Sequence, residues 1–127
     1  MRGWFATAGV QAQLHYDTFR NVLVQVHGVK DVLLLPPAAL PDVYICPSLH
    51  PGYRQSQVKG VSAGGDLDNY PGFPMHLAQR VRLHPGEALH IPPFWLHHVI
   101  SVTDTLSVNV WSEDPDLVAA EGIFTEV

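Results

Sequence analysis

The sequence predicts an all-β domain of the barrel or jelly-roll class, on the basis of three observations. About eight short apolar or alternating segments are separated by turn signals roughly every 8 to 12 residues. The 10 glycines and 11 prolines lie largely between those segments, which favours strands and turns over long helices. A chain of 127 residues, 46% of them hydrophobic, is long enough for one domain with its own core.

The first part of the chain predicts short strands. Three of these strands are expected over residues 4–7, 11–16 and 43–45, and residues 43–45 are expected to be an edge strand. Residues 21–27 alternate polar and apolar side chains with a period of two, as expected for a strand with one buried face. Gly28 ends that strand, and residues 30–35 are expected to be its hairpin partner.

The second part begins with a long connection and then returns to strands. Residues 47–74 are rich in glycine, proline, serine and aspartate, and a connection of this length is expected to be functional or to contain short elements. Further strands are expected over residues 79–83, 88–91, 96–102 and 106–111, with the last two as a pair. Asp114 and Pro115 are typical of the start of a helix, which predicts a short helix over residues 114–121.

Charge and composition exclude several classes of protein. Seven basic and 12 acidic residues give a net charge of −5, and residues 113–127 contain acids but no base. No basic stripe is present, so DNA is not an expected partner. The longest apolar run, residues 32–40, is far shorter than a membrane span, and the short, interrupted apolar stretch after Arg2 is not expected to act as a signal peptide. The single cysteine, Cys46, excludes an internal disulfide. An intracellular protein, cytoplasmic or nuclear, is expected.

One short motif carries the candidate metal site. His15 and Asp17 lie two residues apart in a predicted strand, so their side chains leave on the same face and can converge on one ion. A histidine from a distant strand, His97 or His98, would complete a set of two imidazoles and one carboxylate. That set is associated with non-heme Fe(II) oxygenases, in which the remaining positions on the ion are open.

Lys30 is the second notable residue, because it begins an otherwise apolar strand with the sequence VKDVLLL. Burying an ammonium group is costly unless it meets an anion, and a dicarboxylate bound beside the metal would supply one. The alternative is a plain surface lysine. Asn21 and Asn109 lie on the predicted strands nearest to these motifs.

These motifs occur in an order that resembles a known family. The segments that carry the resemblance are GVQAQLHYDTFRNVLVQVHGVKDVLLLPP, LHPGEALHIPPFWLHHVIS and SVNVW. They are similar to the JmjC-type, cupin-like Fe(II)/2-oxoglutarate-dependent hydroxylases, which include the asparaginyl hydroxylase of the hypoxia-inducible factor and the tRNA wybutosine hydroxylase. The resemblance extends from Trp4 to Trp111.

The resemblance implies a fold, a metal and a co-substrate. The fold is a double-stranded β-helix, or jelly roll, over residues 1–112, with residues 113–127 as an acidic C-terminal segment of the same domain. Fe(II) is held by His15, Asp17 and His97, since the family places its ligand at the first of the two adjacent histidines. The residues that the resemblance assigns to 2-oxoglutarate are Lys30, which pairs with the distal carboxylate, Asn21 and Asn109.

Two departures from the family pattern keep an alternative open. Ala12 stands where the family commonly has a threonine, and the chain begins almost at the first core strand. We therefore expect either a piece of a longer protein or a minimal version with a more open pocket. The resemblance favours a dioxygenase that hydroxylates a protein side chain or another macromolecule, such as RNA. The alternative is a non-catalytic cupin-like metal-binding scaffold, and a homo-oligomer is compatible with either.

Overall fold

The computed structural model describes residues 1–112, which form eight β-strands joined by turns and one long connection. The strands are β1 (Arg2–Ala6), β2 (Gln11–His15), β3 (Arg20–His27), β4 (Lys30–Leu35), β5 (Gln79–Leu83), β6 (Ala88–Ile91), β7 (Leu96–Ser101) and β8 (Thr105–Ser112). The helix predicted over residues 114–121 and the acidic segment lie outside the described residues.

The strands form two four-stranded antiparallel sheets that face each other. One sheet has the order β1-β8-β3-β6 and the other has the order β2-β7-β4-β5. Apart from β4 and β5, which pair within one sheet, consecutive strands lie in opposite sheets. This alternation is the double-stranded β-helix, so the predicted all-β jelly-roll class is confirmed.

Two predicted strand pairs are wrong. The sequence predicts residues 21–27 and 30–35 as a hairpin, but β3 pairs with β8 and β6, whereas β4 pairs with β7 and β5. The strand pair predicted for residues 96–102 and 106–111 is also wrong, because β7 and β8 belong to different sheets. Alternation determines which face of a strand is buried, but it does not identify the neighbouring strand.

The core consists of two apolar clusters on the two faces of β4. Val32 and Leu34 point between the sheets, where they meet apolar residues of β3, β5 and β6. Leu33 and Leu35 point to the opposite face, which the long connection covers with residues such as Val58. Burial on both faces explains why this strand is almost continuously apolar.

The long connection between β4 and β5 contains short elements, as predicted. Four 3-10 helices lie in it, at Pro37–Asp42, Val61–Ala63, Leu67–Asn69 and Met75–Leu77. The edge strand predicted over residues 43–45 is reduced to one isolated bridge between Ile45 and Ser56. None of the helices within residues 1–112 has the length and apolar composition needed to cross a membrane.

Gly28, in the link from β3 to β4, is expected to be intolerant of any side chain. Its φ is 73°, and a Cβ there would lie 2.0 Å from the carbonyl oxygen of Asp104. We expect Gly28→Ala to lower the free energy of unfolding by at least about 3 kcal/mol. Gly9→Ala is the matched control, since Gly9 has a φ of 89° with nothing within 4 Å. It should cost only about 1 kcal/mol in urea denaturation, and equal losses in the two variants would contradict this account.

Candidate metal centre and the adjoining cavity

The fold brings two histidines and one aspartate together at the edge of the second sheet. His15 and His97 are directly opposite each other on the neighbouring strands β2 and β7. Asp17 follows β2, just beyond the end of the strand. One ligand atom from each of the three side chains lies within 4.8 Å of the other two. The cross-strand pairing therefore unites residues that are 82 positions apart in the chain.

The separations suit a shared ion. Asp17 Oδ2 lies 3.4 Å from His97 Nε2 and 3.8 Å from His15 Nε2. Donor atoms on adjacent positions of an ion with bonds of about 2.1 Å lie about 3 Å apart. The Asp17 oxygen is thus within about 1 Å of that spacing from each imidazole nitrogen.

Hydrogen bonds orient both imidazoles in the same way. Nδ1 of His15 lies 2.8 Å from the carbonyl oxygen of Gln13, and Nδ1 of His97 lies 3.1 Å from that of Trp95. A carbonyl oxygen only accepts, so each Nδ1 carries the proton and each Nε2 presents a lone pair. Two lone pairs and a carboxylate thus converge, an arrangement that a cation stabilises. Metal-binding histidines are typically oriented by such backbone acceptors.

The local electrostatics favour the metal-binding protonation states. Burial, followed by the charge of His97, lowers the pKa of His15 below its ordinary value, so this imidazole is neutral at neutral pH. Burial opposes ionisation of Asp17, but its hydrogen bond and coulombic interaction with His97 outweigh burial, so the pKa of this carboxyl lies below its ordinary value. Arg54 is a weaker contributor to both shifts.

The structure distinguishes the two adjacent histidines that the sequence leaves as alternatives. His97 faces the space between the sheets, whereas His98 is fully buried on the opposite face of β7. His98 Nε2 donates to Gln11 Oε1 at 3.0 Å, and its Nδ1 accepts from the hydroxyl of Ser62 at 2.6 Å. Burial and then the charge of His15 lower the pKa of His98 to about 4. His98 therefore joins the long connection to the sheet and does not face the metal centre.

A cavity of about 320 Å³ adjoins the metal centre and extends between the two sheets. The three ligand candidates form part of its wall, together with aromatic residues of β1 and β8. All three residues that the sequence analysis assigns to a co-substrate, Lys30, Asn21 and Asn109, also line this cavity. The structure thus brings all six predicted site residues to one space.

Lys30 enters the cavity wall from β4, on the same face as the core residues Val32 and Leu34. It is 6% exposed, and its Nζ donates to Ser107 Oγ at 2.6 Å. No carboxylate within residues 1–112 forms an ion pair with it. Burial lowers its pKa from the ordinary value of 10.5. The surface-lysine alternative is therefore wrong, and the cavity contains a cation without an anionic partner.

The two asparagines form a pair on the neighbouring strands β3 and β8. Asn109 Nδ2 donates to Asn21 Oδ1 at 2.7 Å, and both residues are buried. This bond uses one donor and one acceptor of the pair. The second N–H of Asn109 and both N–H groups of Asn21 are not used in this bond and can donate to a ligand in the cavity.

Sequence reasoning missed Ser107, which accepts the hydrogen bond from Lys30. It lies two residues before Asn109 on β8 and is fully buried. The period-two rule applied to Asn109 could have found it, since residues i and i−2 share a face. The same rule places Trp111 on this face, and Trp111 lines the cavity.

Comparisons with known proteins agree with this geometry. The profile of the cupin-like domain family matches residues 2–116. The lysine-specific demethylase JMJ31 of Arabidopsis thaliana is 36% identical over 110 residues, covering 85% of this chain and 20% of that protein. Jumonji C domain-containing protein 5 of Drosophila melanogaster is 31% identical, and the match covers 89% of this chain and 27% of that protein. tRNA wybutosine-synthesizing protein 5 of Mus musculus is 33% identical, and the match covers 87% of this chain and 33% of that protein.

The chain therefore spans between a fifth and a third of the length of these relatives. Among solved structures, KdgF from Halomonas sp. superposes with a TM-score of 0.51 at 16% identity. The superposition covers 90% of this chain and 68% of that one. At this identity, the likeness concerns the fold alone.

Proposed function

Since the chain belongs to the cupin-like domain family, we propose that it is an Fe(II)- and 2-oxoglutarate-dependent dioxygenase that hydroxylates a side chain of a protein or another macromolecule. The relatives named as demethylases and as a wybutosine-synthesizing protein support an oxygenase-type enzyme. They carry much longer chains, so the reaction and the substrate are proposals for this one.

The donor set at the metal centre fits ferrous iron. His15, Asp17 and His97 offer two imidazole nitrogens and one carboxylate oxygen on one side of a shared point. This combination, with the opposite positions open, is typical of non-heme iron oxygenases. Iron and 2-oxoglutarate, when bound, would supply the oxidising chemistry with dioxygen as the oxidant: one oxygen atom of dioxygen would enter succinate as the oxoacid loses carbon dioxide, and the other would enter the substrate.

The single observation that carries the proposal is the buried ammonium group of Lys30. A cation that is 6% exposed and that is bonded, among residues 1–112, to a serine hydroxyl alone is costly, and an anion in the cavity would offset that cost. The distal carboxylate of 2-oxoglutarate fits this position, since the cavity also contains the metal centre at which the other end binds. A metal-dependent hydrolase or isomerase has no need of such a group.

The chain's own residues then act by binding and orientation. Lys30 and Ser107 hold one end of the oxoacid, and the asparagine pair lines the cavity beside it. The backbone carbonyls behind His15 and His97 keep the two Nε2 atoms directed to one point. Trp111 and Trp4 form part of the cavity wall.

The direct test is the release of succinate from 2-oxoglutarate by the purified protein. We expect release that depends on Fe(II) and oxygen, and that is slow without the main substrate. The measurement is succinate by mass spectrometry, with Zn(II)-loaded protein as the control because zinc has no redox chemistry. Absence of succinate together with absence of 2-oxoglutarate binding would contradict the proposal.

A non-catalytic metal-binding scaffold is the second candidate, and one observation favours it. Ala12 lines the cavity three residues before His15, where its methyl group offers the oxoacid no hydrogen bond. A scaffold would bind the metal ion but would release no succinate under the same conditions.

A further inference from the structure

Arg2, on the edge strand β1, is a positive charge at the rim of the cavity that contains Lys30. In the strand register it is directly opposite Asn109 of β8, which lines the cavity. Arg2 and Trp4 are two residues apart in β1, so their side chains leave on the same face, and Trp4 also lines the cavity. Arg2 itself is exposed, which places its side chain at the rim rather than deep in the wall.

Two tryptophan rings contact the guanidinium group of Arg2. Its Cζ lies 5.6 Å from the centre of the Trp4 ring and 5.7 Å from the centre of the Trp111 ring, and both rings line the cavity. No carboxylate within residues 1–112 forms an ion pair with Arg2. A cation–π contact at an exposed site contributes only about 0.5 to 1 kcal/mol. A carboxylate that accepts two hydrogen bonds from the guanidinium therefore competes well with the rings.

The register of β8 shows which end of the cavity Arg2 faces. Trp111, near the end of β8, is opposite Asn21, and β3 begins three residues after Asp17. The end of β8 is therefore the end next to the metal centre. Ser107, which accepts the hydrogen bond from Lys30, lies further from that end.

Arg2 and Lys30 are separated along the cavity by about the length of the oxoacid. Arg2 is opposite Asn109, whereas Trp4 is opposite Ser107, the partner of Lys30. These two levels are two residues apart, which is about 7 Å along a strand. The outer oxygen atoms of an extended five-carbon dicarboxylate are separated by a similar distance. When one carboxylate pairs with Lys30, the other therefore reaches the level of Arg2.

We propose that Arg2 pairs with the carboxylate that 2-oxoglutarate places at the metal centre, and that it positions this end of the oxoacid. The inference rests on the proposed function, because it assigns a further residue to the binding of the same co-substrate. On the facing strand β2, the methyl group of Ala12 lines the cavity and offers no donor. The donors for this end of the oxoacid therefore come from the sheet that contains β1, β3 and β8.

The test compares two oxoacids that differ only at the distal end. 2-Oxobutanoate has the 2-oxo acid group of 2-oxoglutarate but lacks the distal carboxylate. Each is titrated into Zn(II)-loaded protein by calorimetry, since zinc binds the donor set without redox chemistry. Arg2→Gln should raise the Kd of both oxoacids about 5- to 10-fold. Lys30→Met should raise the Kd of 2-oxoglutarate alone.

Two further variants separate a charge contact from a general effect. Arg80→Gln is the matched control, since Arg80 is also an exposed arginine on an edge strand, β5, but does not line the cavity. Its Kd values should be unchanged. Arg2→Lys keeps the charge but not the planar pair of donors, so its Kd values should lie between those of the unmodified protein and Arg2→Gln.

The salt dependence of binding supplies a second measurement. The pair formed by Arg2 is at an exposed rim, where added salt screens it. Raising the salt concentration should therefore weaken 2-oxoglutarate binding to the unmodified protein more than to Arg2→Gln. The melting temperatures of the two proteins should agree, because Arg2 is not part of the core.

Three results would overturn this inference: unchanged Kd values for both oxoacids in Arg2→Gln, an increase confined to 2-oxoglutarate, or an equal increase in Arg80→Gln. Each of these can occur while the unmodified protein binds 2-oxoglutarate and releases succinate, so the inference can fail without the proposed function. If the unmodified protein bound neither oxoacid, the inference and the proposed function would fail together.

Discussion

Asp17→Asn is expected to weaken Fe(II) binding at least about 100-fold and to abolish succinate release. Replacing a residue that only hydrogen-bonds to a metal ligand typically lowers the affinity for the metal 10- to 100-fold. Asp17 is a proposed direct ligand and the only negative charge of the proposed donor set, so its loss should lower that affinity at least as much. Asparagine keeps the shape of the side chain and leaves the backbone bond from Phe94 in place. The variant should therefore fold normally. Calorimetric titration with Mn(II) and the succinate assay measure the two effects.

Asp31→Asn is the matched control for this variant. Asp31 also has a close cationic neighbour, since Arg82 Nε lies 2.7 Å from its Oδ1. It lies near the start of β4, whereas His97 pairs with Leu34 near the end of that strand. Its loss should leave metal affinity unchanged. If Asp17→Asn bound Mn(II) as tightly as the unmodified protein, the assignment of the metal centre would be wrong.

Lys30→Met is expected to raise the Kd for 2-oxoglutarate about 10- to 100-fold while metal binding is retained. The reason is the loss of a charge-assisted contact to the distal carboxylate in a buried position, which contributes about 1.5 to 3 kcal/mol. Methionine fills a similar volume without burying a charge, so the variant should keep its melting temperature within a few degrees. Lys59→Met is the control, since Lys59 is exposed and does not line the cavity.

The same lysine should make 2-oxoglutarate binding depend on pH. Burial lowers the pKa of Lys30 in the free protein below 10.5, and a bound carboxylate raises it again. Between the free and bound values, binding takes up a proton, so the affinity should fall as the pH rises through that range. Lys30→Met should show no such fall in a calorimetric titration. A pH-independent affinity in the unmodified protein would show that Lys30 does not bind the oxoacid.

Short-range patterns were sufficient to predict much of the candidate site. His15 and Asp17 are two residues apart, and the alternation of a strand alone directs both side chains to the same side. This relation depends only on backbone geometry between neighbouring residues, and it is visible in the sequence. Lys30 shares a face with Val32 and Leu34 in the structure, but β4 is apolar on both faces, so alternation alone left the surface-lysine alternative open.

The strand partners could not be predicted in this way. The hairpins expected for β3 with β4 and for β7 with β8 are absent, since each of these links crosses between the sheets. Both arrangements bury the same alternating faces, so the pattern does not discriminate between them. The pairing follows from closing both sheets around one core.

The amino-acid sequence was sufficient for the all-β class, for the positions of most strands and for the pairing of His15 with Asp17, because each of these depends on side-chain alternation over a few residues. Alternation left His97 and His98 as alternatives, and the resemblance to a family favoured His97. Two features required the folded chain: the opposition of His15 and His97, and the contact of Lys30 with Ser107. Each joins segments far apart in sequence, and such contacts are selected by the packing of the whole domain rather than by the preferences of any one segment.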